Sequence, residues 1–442
     1  MSSRLAFISH QTSMRRHIRS LILVTGFLTL TFYVIRLYKP PAPDPTSNIR
    51  LPNADKSNND DKGFLQFKPP EASIQHSVIR GDSVVWTMDK NTTWRLLGRP
   101  PNRPECWTYK DRFSVYERPS PGMSDIIAKN NKNKIKKAII LRLGEGQVWR
   151  SAFVSYVRSL VMEAGYISGY DIVIYIHLDL SGVQKAAWLE KIPQEFRALT
   201  QTFSTQDLRK WIPEKAVFKN VYEQNHTPIQ MFMAKNPQYD FVYSLEHDVR
   251  LIGRWDTLLA DVDTEYAFHR KHKAEDQEMP EVPDLISFQT IRRPRVQWPW
   301  FQKEHACIKR FGGKANTRSS LGVVWGWSRR LTDAMTQYNA EGINCYFEYF
   351  APSVAYQQNL TTFFYQHPLY CPNGAKPDRH SLNLTDFGKN DPRRAQPDKV
   401  PVGCSYFFVD SYSKPFWEDW YQHPEICRPP ALVHPVKNPK FN

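Results

Sequence analysis

From Phe241 to Trp255 the chain reads F-V-Y-S-L-E-H-D-V-R-L-I-G-R-W, an apolar run leading straight into Glu246, His247, Asp248 and Arg250. Alternation along an extended chain puts Glu246 and Asp248 on one side. Two carboxylates at that spacing, at the exit of a strand, suit a hard divalent cation. Mg²⁺ and Mn²⁺ prefer oxygen ligands and keep positions for substrate phosphates. A bridging metal offsets the charge that builds on a leaving diphosphate. The competing reading is a solvated strand end with Asp248 paired to Arg250.

Such a pair needs a sheet edge to hold it. Lys137–Leu143 reads as a short buried strand, closed by Gly144 and Gly146. Phe153, Val157, Leu160, Val161 and Ala164 share one helical face, with Gly165 as the expected C-cap. Asp171–Leu178 is a second strand, ending at Asp179, so the three elements form a right-handed βαβ unit. Thr227 and Pro228 start a helix running to about Asn236. Asp240–Glu246, Asp284–Gln289 and Leu321–Trp327 read as further strands, and Ser328 caps a following helix. This alternation predicts an α/β fold with a mostly parallel sheet covered on both faces. Ligands of such sheets bind outside the carboxyl ends of the strands.

The layout of an N-terminal span before a long body, the E-x-D-x-R at a strand end and the later W-G-W-S resemble GT-A-fold glycosyltransferases. More specifically, Glu246-His247-Asp248-Val249-Arg250 with Gly253 resembles a fungal family of type II membrane proteins of unassigned function. The resemblance covers about Lys137 to His367. It implies a Rossmann-related GT-A-like domain that moves a sugar from a nucleotide-sugar donor to a glycan or glycoprotein acceptor, assisted by Mn²⁺ or Mg²⁺. In the wider fold the metal motif is usually D-x-D, and Glu246 here replaces its first Asp.

The resemblance also implies roles for single residues. Arg142, Gly144, Asp179 and Arg250 fall with the donor-binding positions; a turn with a surface ion pair is the alternative for the Arg142 segment, and a turn-forming carboxylate for Asp179. Glu348 stands where an acceptor-facing general base is expected, with a buried or capping carboxylate as the alternative. His367 stands where a late histidine completes the metal ligands beside Glu246 and Asp248, and His434 competes for that place. Trp325 and Trp327 stack on a sugar or pack in the core. The Arg292-Arg293-Pro294-Arg295 cluster, with Trp298 and Trp300, is either an anion-binding loop or a solvated one. A non-catalytic glycan-binding or scaffold protein and a metal-dependent hydrolase are the rival functions. No G-x-S-x-G, H-E-x-x-H or Walker-type loop supports standard hydrolase schemes.

Composition and compartment agree with this layout. The 442 residues carry 59 Lys and Arg against 44 Asp and Glu, a net charge of +15, with 41% hydrophobic and 13% aromatic residues. Disordered and fibrous classes are excluded. The basic balance favours an anionic partner, and no basic repeat with a reading motif points to nucleic acid. Residues 20–38 read as a transmembrane signal anchor, bare of charge from Ser20 to Ile35 and long enough at roughly 30 Å to span a thin bilayer; a cleaved signal peptide is the rival reading, and no small-x-small cleavage site follows to support it. Arg4, Arg15, Arg16 and Arg19 precede it, so residues 1–19 are expected in the cytosol. Residues 39–98 read as a lumenal stem and 99–442 as a lumenal catalytic domain. The expected location is the Golgi membrane, or alternatively that of the endoplasmic reticulum. Six cysteines beyond the span suggest up to three disulfides, in a pairing left open. Sequons stand at Asn91, Asn225, Asn359 and Asn383.

Overall fold

In the computed structural model the runs read as buried strands carry a seven-stranded sheet. The structure describes strands 77–80, 83–86 and 94–97, and residues 106–118, 136–213, 220–271, 279–291, 293, 305–372, 404–406 and 410–437. These belong to one compact unit, Gly63–Asn442. In chain order the strands are β1 Ser77–Arg80, β2 Ser83–Trp86, β3 Trp94–Leu97, β4 Lys136–Gly144, β5 Asp171–His177, β6 Thr200–Phe203, β7 Tyr239–Glu246, β8 Arg250–Ile252, β9 Leu285–Ser287, β10 Val324–Ser328, β11 Thr362–Phe364, β12 Leu369–Pro372 and β13 Ala431–Val433. The helices that matter for the site are α1 Tyr109–Phe113, α2 Ser151–Leu160, α3 His226–Lys235, α4 Trp255–Lys271, α5 Arg329–Ala340, α6 Phe347–Gln357 and α7 Asp410–Gln422.

The main sheet runs β11-β9-β10-β7-β4-β5-β6. Its β7-β4, β4-β5, β5-β6 and β11-β9 pairs are parallel, and β10 runs antiparallel to both neighbours. The sheet is therefore mixed but mostly parallel and flanked by helices. Both faces are buried, which is why β4 and β5 read as continuous apolar runs rather than alternating ones. Ile139, Leu141 and Leu143 of β4 pack with α2 in one core. Ala138 and Ile140 pack with α3, α5 and α6 in the other. That second face, followed two residues further, carries Arg142.

Local rules account for most element ends. Ser328 caps α5 by accepting from the Leu331 amide at 3.1 Å. The α2 helix differs from expectation: it continues through Val161–Ile167 as a π-helical turn that takes in Gly165. The left-handed residue closing it is Gly169, φ 75°. Gly326 sits between two tryptophans because an added Cβ would lie 2.5 Å from the Phe241 ring across the β10-β7 pair.

Part of the segment read as stem pairs with the body. Strands β1, β2 and β3 join β12 in a four-stranded antiparallel sheet. All six cysteines are paired, as Cys106–Cys427, Cys307–Cys345 and Cys371–Cys404. Among the described residues no helix is long and apolar enough to cross a membrane; the span at 20–38 lies outside them.

Candidate active site

The β7 strand ends at Glu246, and the chain then turns rather than continuing extended. The Val249 amide donates to the Glu246 carbonyl at 3.2 Å, which closes a turn over His247 and Asp248. The two carboxylates therefore meet through a turn, not through the strand alternation expected. Strand β8 leaves that turn and pairs antiparallel with β13 in the register Val433↔Arg250. This two-stranded ribbon delivers the next residue, His434, onto the acidic pair. The Val436 amide then donates to the Asp248 carbonyl at 2.8 Å and locks the delivery. Gly253 makes the ribbon possible, since its φ is 93° and a Cβ there would meet Pro430 at 2.7 Å.

Glu246, Asp248 and His434 are all buried, and ligand atoms of the three lie within 4.8 Å of one another. His434 Nε2 is 3.2 Å from Glu246 Oε2 and 3.4 Å from Asp248 Oδ1. Burial lowers the His434 pKa, but the Asp248 and Glu246 carboxylates outweigh it and raise it to about 9. Burial raises the Asp248 pKa, but the His434 imidazolium outweighs it and holds that carboxyl well below the usual carboxylate range. A buried acidic pair has thus drawn a proton onto its own histidine. Asp248 Oδ1 is nevertheless buried without an aligned hydrogen bond. Two carboxylates and an imidazole form a donor set of the kind that fits Mn²⁺ or Mg²⁺.

His367 is not in this group. It is buried, its Nδ1 lies 2.9 Å from the Pro368 carbonyl, and its ring stands edge-on to Tyr406 at 4.6 Å. Burial pulls its pKa down to about 4, so it stays neutral. The structure does not bring His367 to the acidic pair; His434, its competitor, stands there instead, with Tyr406 packed against both rings.

The donor-site expectations divide. Arg142 does not reach outward. Its Nη2 donates to Glu246 Oε1 at 3.2 Å and to the Gly322 carbonyl at 3.1 Å, so its charge fixes Glu246. Arg250 lies over the Tyr156 ring, 4.5 Å from its centroid, and donates to the His247 and Val249 carbonyls. Its charge holds the turn. Asp179 accepts from the Thr205 amide at 2.6 Å and from its hydroxyl at 2.7 Å, and pairs with His177 at 3.2 Å. Asp179 thus ties the end of β5 to Thr205, the first residue of the helix after β6, which is not a local turn.

Gly144 and Arg250 do share a cavity of about 320 Å³ beside the acidic turn, on the α2 side of the sheet. Tyr109, Phe113, Phe153, Tyr156 and Trp417 give it aromatic walls, while Arg150, His247 and Lys437 add polar and basic groups. An aromatic chamber of this size with convergent cations suits a base joined to phosphates. The first turn of α2 opens beside it with no side-chain cap, so its amide groups favour an anion there. Of the aromatic walls, drawn from α1, α2 and α7, only Phe153 is singled out in the sequence, and that as a core-facing helix residue.

Glu348 occupies the first turn of α6 and is buried. The Tyr222 and Tyr346 rings both pack against Phe347, the residue before Glu348, which sets them on the α6 side of the sheet. Trp325 and Trp327 are core residues, exposed by 1% and 2%, which overturns the sugar-stacking expectation. W-G-W alternation sends both indoles to the same covered face. Asn225 is half-buried beside a wholly buried Thr227, whereas Asn359 is exposed on a turn with φ 52°. Asn91 and Asn383 lie outside the described residues, as do Arg292, Arg295, Trp298 and Trp300.

Comparisons with known proteins complete the description. No curated protein matches the chain. Among solved structures the chain is similar to the mannosyltransferase Ktr4p from S. cerevisiae, at 14% identity and a TM-score of 0.30 over 64% of this chain and 93% of that one. It is also similar to the inositol-1-phosphate CTP transferase from T. maritima, at 10% identity and a TM-score of 0.28 over 60% of this chain and 99% of that one. Residues 109–275, which run from α1 through the acidic turn and α4, match the family model described as Protein of unknown function (DUF3405).

Proposed function

We propose that this chain is a metal-assisted glycosyltransferase, anchored by residues 20–38 in the Golgi or endoplasmic reticulum membrane. It takes a nucleotide-sugar donor and a glycan or glycoprotein acceptor. One observation carries the reading: Glu246, Asp248 and His434 converge at the carboxyl end of the central strand, beside an aromatic and basic cavity. The nucleoside enters that cavity. Glu246, Asp248 and His434 would hold Mn²⁺ or Mg²⁺, whose chemistry when bound would be to offset charge on a leaving diphosphate. Arg142 keeps Glu246 in place, and Arg250 keeps the turn. Glu348, across the acidic edge, takes a proton from the acceptor hydroxyl.

A screen of nucleoside diphosphates by thermal shift on the detergent-solubilised full chain, with and without Mn²⁺, tests the donor site. One nucleotide stabilises strongly with Mn²⁺ and little without it; no metal-dependent stabilisation by any nucleotide defeats the reading.

Two further outcomes follow from the same site. Glu348→Gln lowers transfer by about 10²–10⁴-fold and leaves the nucleotide shift intact; a variant within a few-fold of wild type removes Glu348 from the chemistry. For metal, His434 must surrender its proton. Apparent Mn²⁺ affinity therefore rises about tenfold per pH unit from about pH 7 and levels off above about 9. The sign in the metal-free fold is opposite. The protonated pairing stabilises fully below about pH 6.5 and is lost as pH climbs through about 9. A pH-independent Mn²⁺ titration contradicts the assignment.

A further inference from the structure

The acidic edge separates two spaces. The cavity lies on the α2 side; Tyr222, Tyr346 and Glu348 lie on the α6 side. With Trp325 and Trp327 buried, the second space lacks the aromatic surface expected of it, unless another residue supplies one. Tyr222 is 50% exposed, against a described core whose aromatics are nearly all sealed.

Its position is built rather than incidental. Tyr222 lies in a short 3₁₀ turn, Val221–Gln224, capped where Asn220 Oδ1 accepts from the Tyr222 amide at 3.0 Å. Gln224 is fully buried and is held by Asn344 Nδ2 at 3.3 Å, which ties the turn to the segment before α6. The Tyr222 ring stands edge-on to Phe347, with centroids 5.5 Å apart. Phe347 in turn lies where a Cβ on Gly322 would be, 2.5 Å away. The Gly322 carbonyl accepts from Arg142, and Arg142 pairs with Glu246. A continuous chain of contacts therefore links an exposed phenol ring to Glu246 through Phe347, Gly322 and Arg142, and Glu348 follows Phe347 in the first turn of α6.

We infer that Tyr222 is the platform on which a hexopyranose ring of the acceptor stacks. This rests on the transferase reading and names the acceptor side of that site. A pyranose has an apolar face of C–H groups that fits an aromatic ring, and a rim of hydroxyls. Here the rim meets Glu348. An exposed aromatic flanked by carboxylates serves a neutral sugar; an anionic nucleotide is repelled from this side and favoured in the basic cavity.

The test uses the detergent-solubilised full chain, a panel of methyl hexopyranosides and hexose disaccharides, and saturation-transfer NMR titration in the presence of Mn²⁺. Nucleoside diphosphate thermal shifts are measured in parallel. At least one glycoside saturates wild type, Tyr222→Ala weakens it about tenfold, and Tyr222→Phe stays within about threefold. The nucleotide shift is unchanged in both variants, which also shows that they fold. Unaltered glycoside binding by Tyr222→Ala overturns the inference, as does a wild type that saturates with no glycoside. Loss of the nucleotide shift in Tyr222→Ala also overturns it, by moving Tyr222 to the donor. A wild type with no nucleotide shift, but with glycoside binding that depends on Tyr222, sinks the donor reading and upholds this subsite.

Discussion

Asp248→Asn is expected to abolish transfer, with a loss of at least about 10³-fold, and to erase the Mn²⁺ dependence of nucleotide binding. The side chain keeps its shape and loses its charge, so the effect isolates the charge. Asp248 is buried, held ionised by His434, and retains an oxygen without an aligned hydrogen bond. On the proposed reading its carboxylate is therefore the ligand whose charge matters most. The loss exceeds the effect of removing one oriented donor, about 10²–10³-fold, because His434 loses its principal counter-charge in the same step. Activity is measured with the donor found by the nucleotide screen. Nucleotide binding is followed by thermal shift with and without Mn²⁺. Transfer within about tenfold of wild type would show that Asp248 does not serve the cation.

Arg112→Ala is expected to destabilise the fold by about 3–5 kcal/mol, the cost of removing one partner from a buried ion pair. Arg112 and Glu163 are each 1% exposed. The guanidinium donates to both Glu163 oxygens, at 2.8 and 2.9 Å. The Tyr116 hydroxyl and the Trp255 amide add donors at 2.6 and 2.8 Å. This cluster joins α1, the π-turn after α2 and the start of α4, the elements that wall the cavity and follow the ribbon. Without Arg112 the carboxylate is left in the core with too few partners. Adding Glu163→Gln to Arg112→Ala removes the stranded charge and recovers part of the loss. Urea unfolding of both variants reads the effect, and a shift under about 1 kcal/mol for Arg112→Ala would show the pair to be dispensable.

What was legible in the chain depended on the range of the interactions that decide each residue's place. β4, β5 and β7 were read because both faces of a central sheet are covered, so apolar residues run without a break. Ser328 was read because a cap is decided within four residues. Glu246 and Asp248 were read as a pair, but through strand alternation, whereas a turn and a ribbon bring them together. His434 was only a competitor to His367. Its place depends on the β8-β13 pairing, three residues against three, between segments far apart in sequence. Such short strands carry no periodicity to read. The V-H-P-V after an apolar run was the available signal, and it matched Y-Q-H-P around His367 too closely to decide.

Charge misled where it is spent internally. Arg142 and Arg250 have the chemistry of phosphate ligands, yet Arg142 is bound to Glu246 and Gly322, and Arg250 to the carbonyls of the turn. Trp325 and Trp327 look like a sugar platform in an unpaired strand. In a strand buried on both faces they become core, and Tyr222, in a turn without a motif, is left half exposed against Phe347.

The most direct measurement of the cation site is a calorimetric Mn²⁺ titration at about pH 8 of wild type, His434→Ala and His367→Ala, without nucleotide. One Mn²⁺ binds wild type. His367→Ala binds it with the same affinity, and His434→Ala weakens it by about 100-fold or more. Equal binding by wild type and His434→Ala, or loss of binding in His367→Ala with the fold intact, would contradict the site.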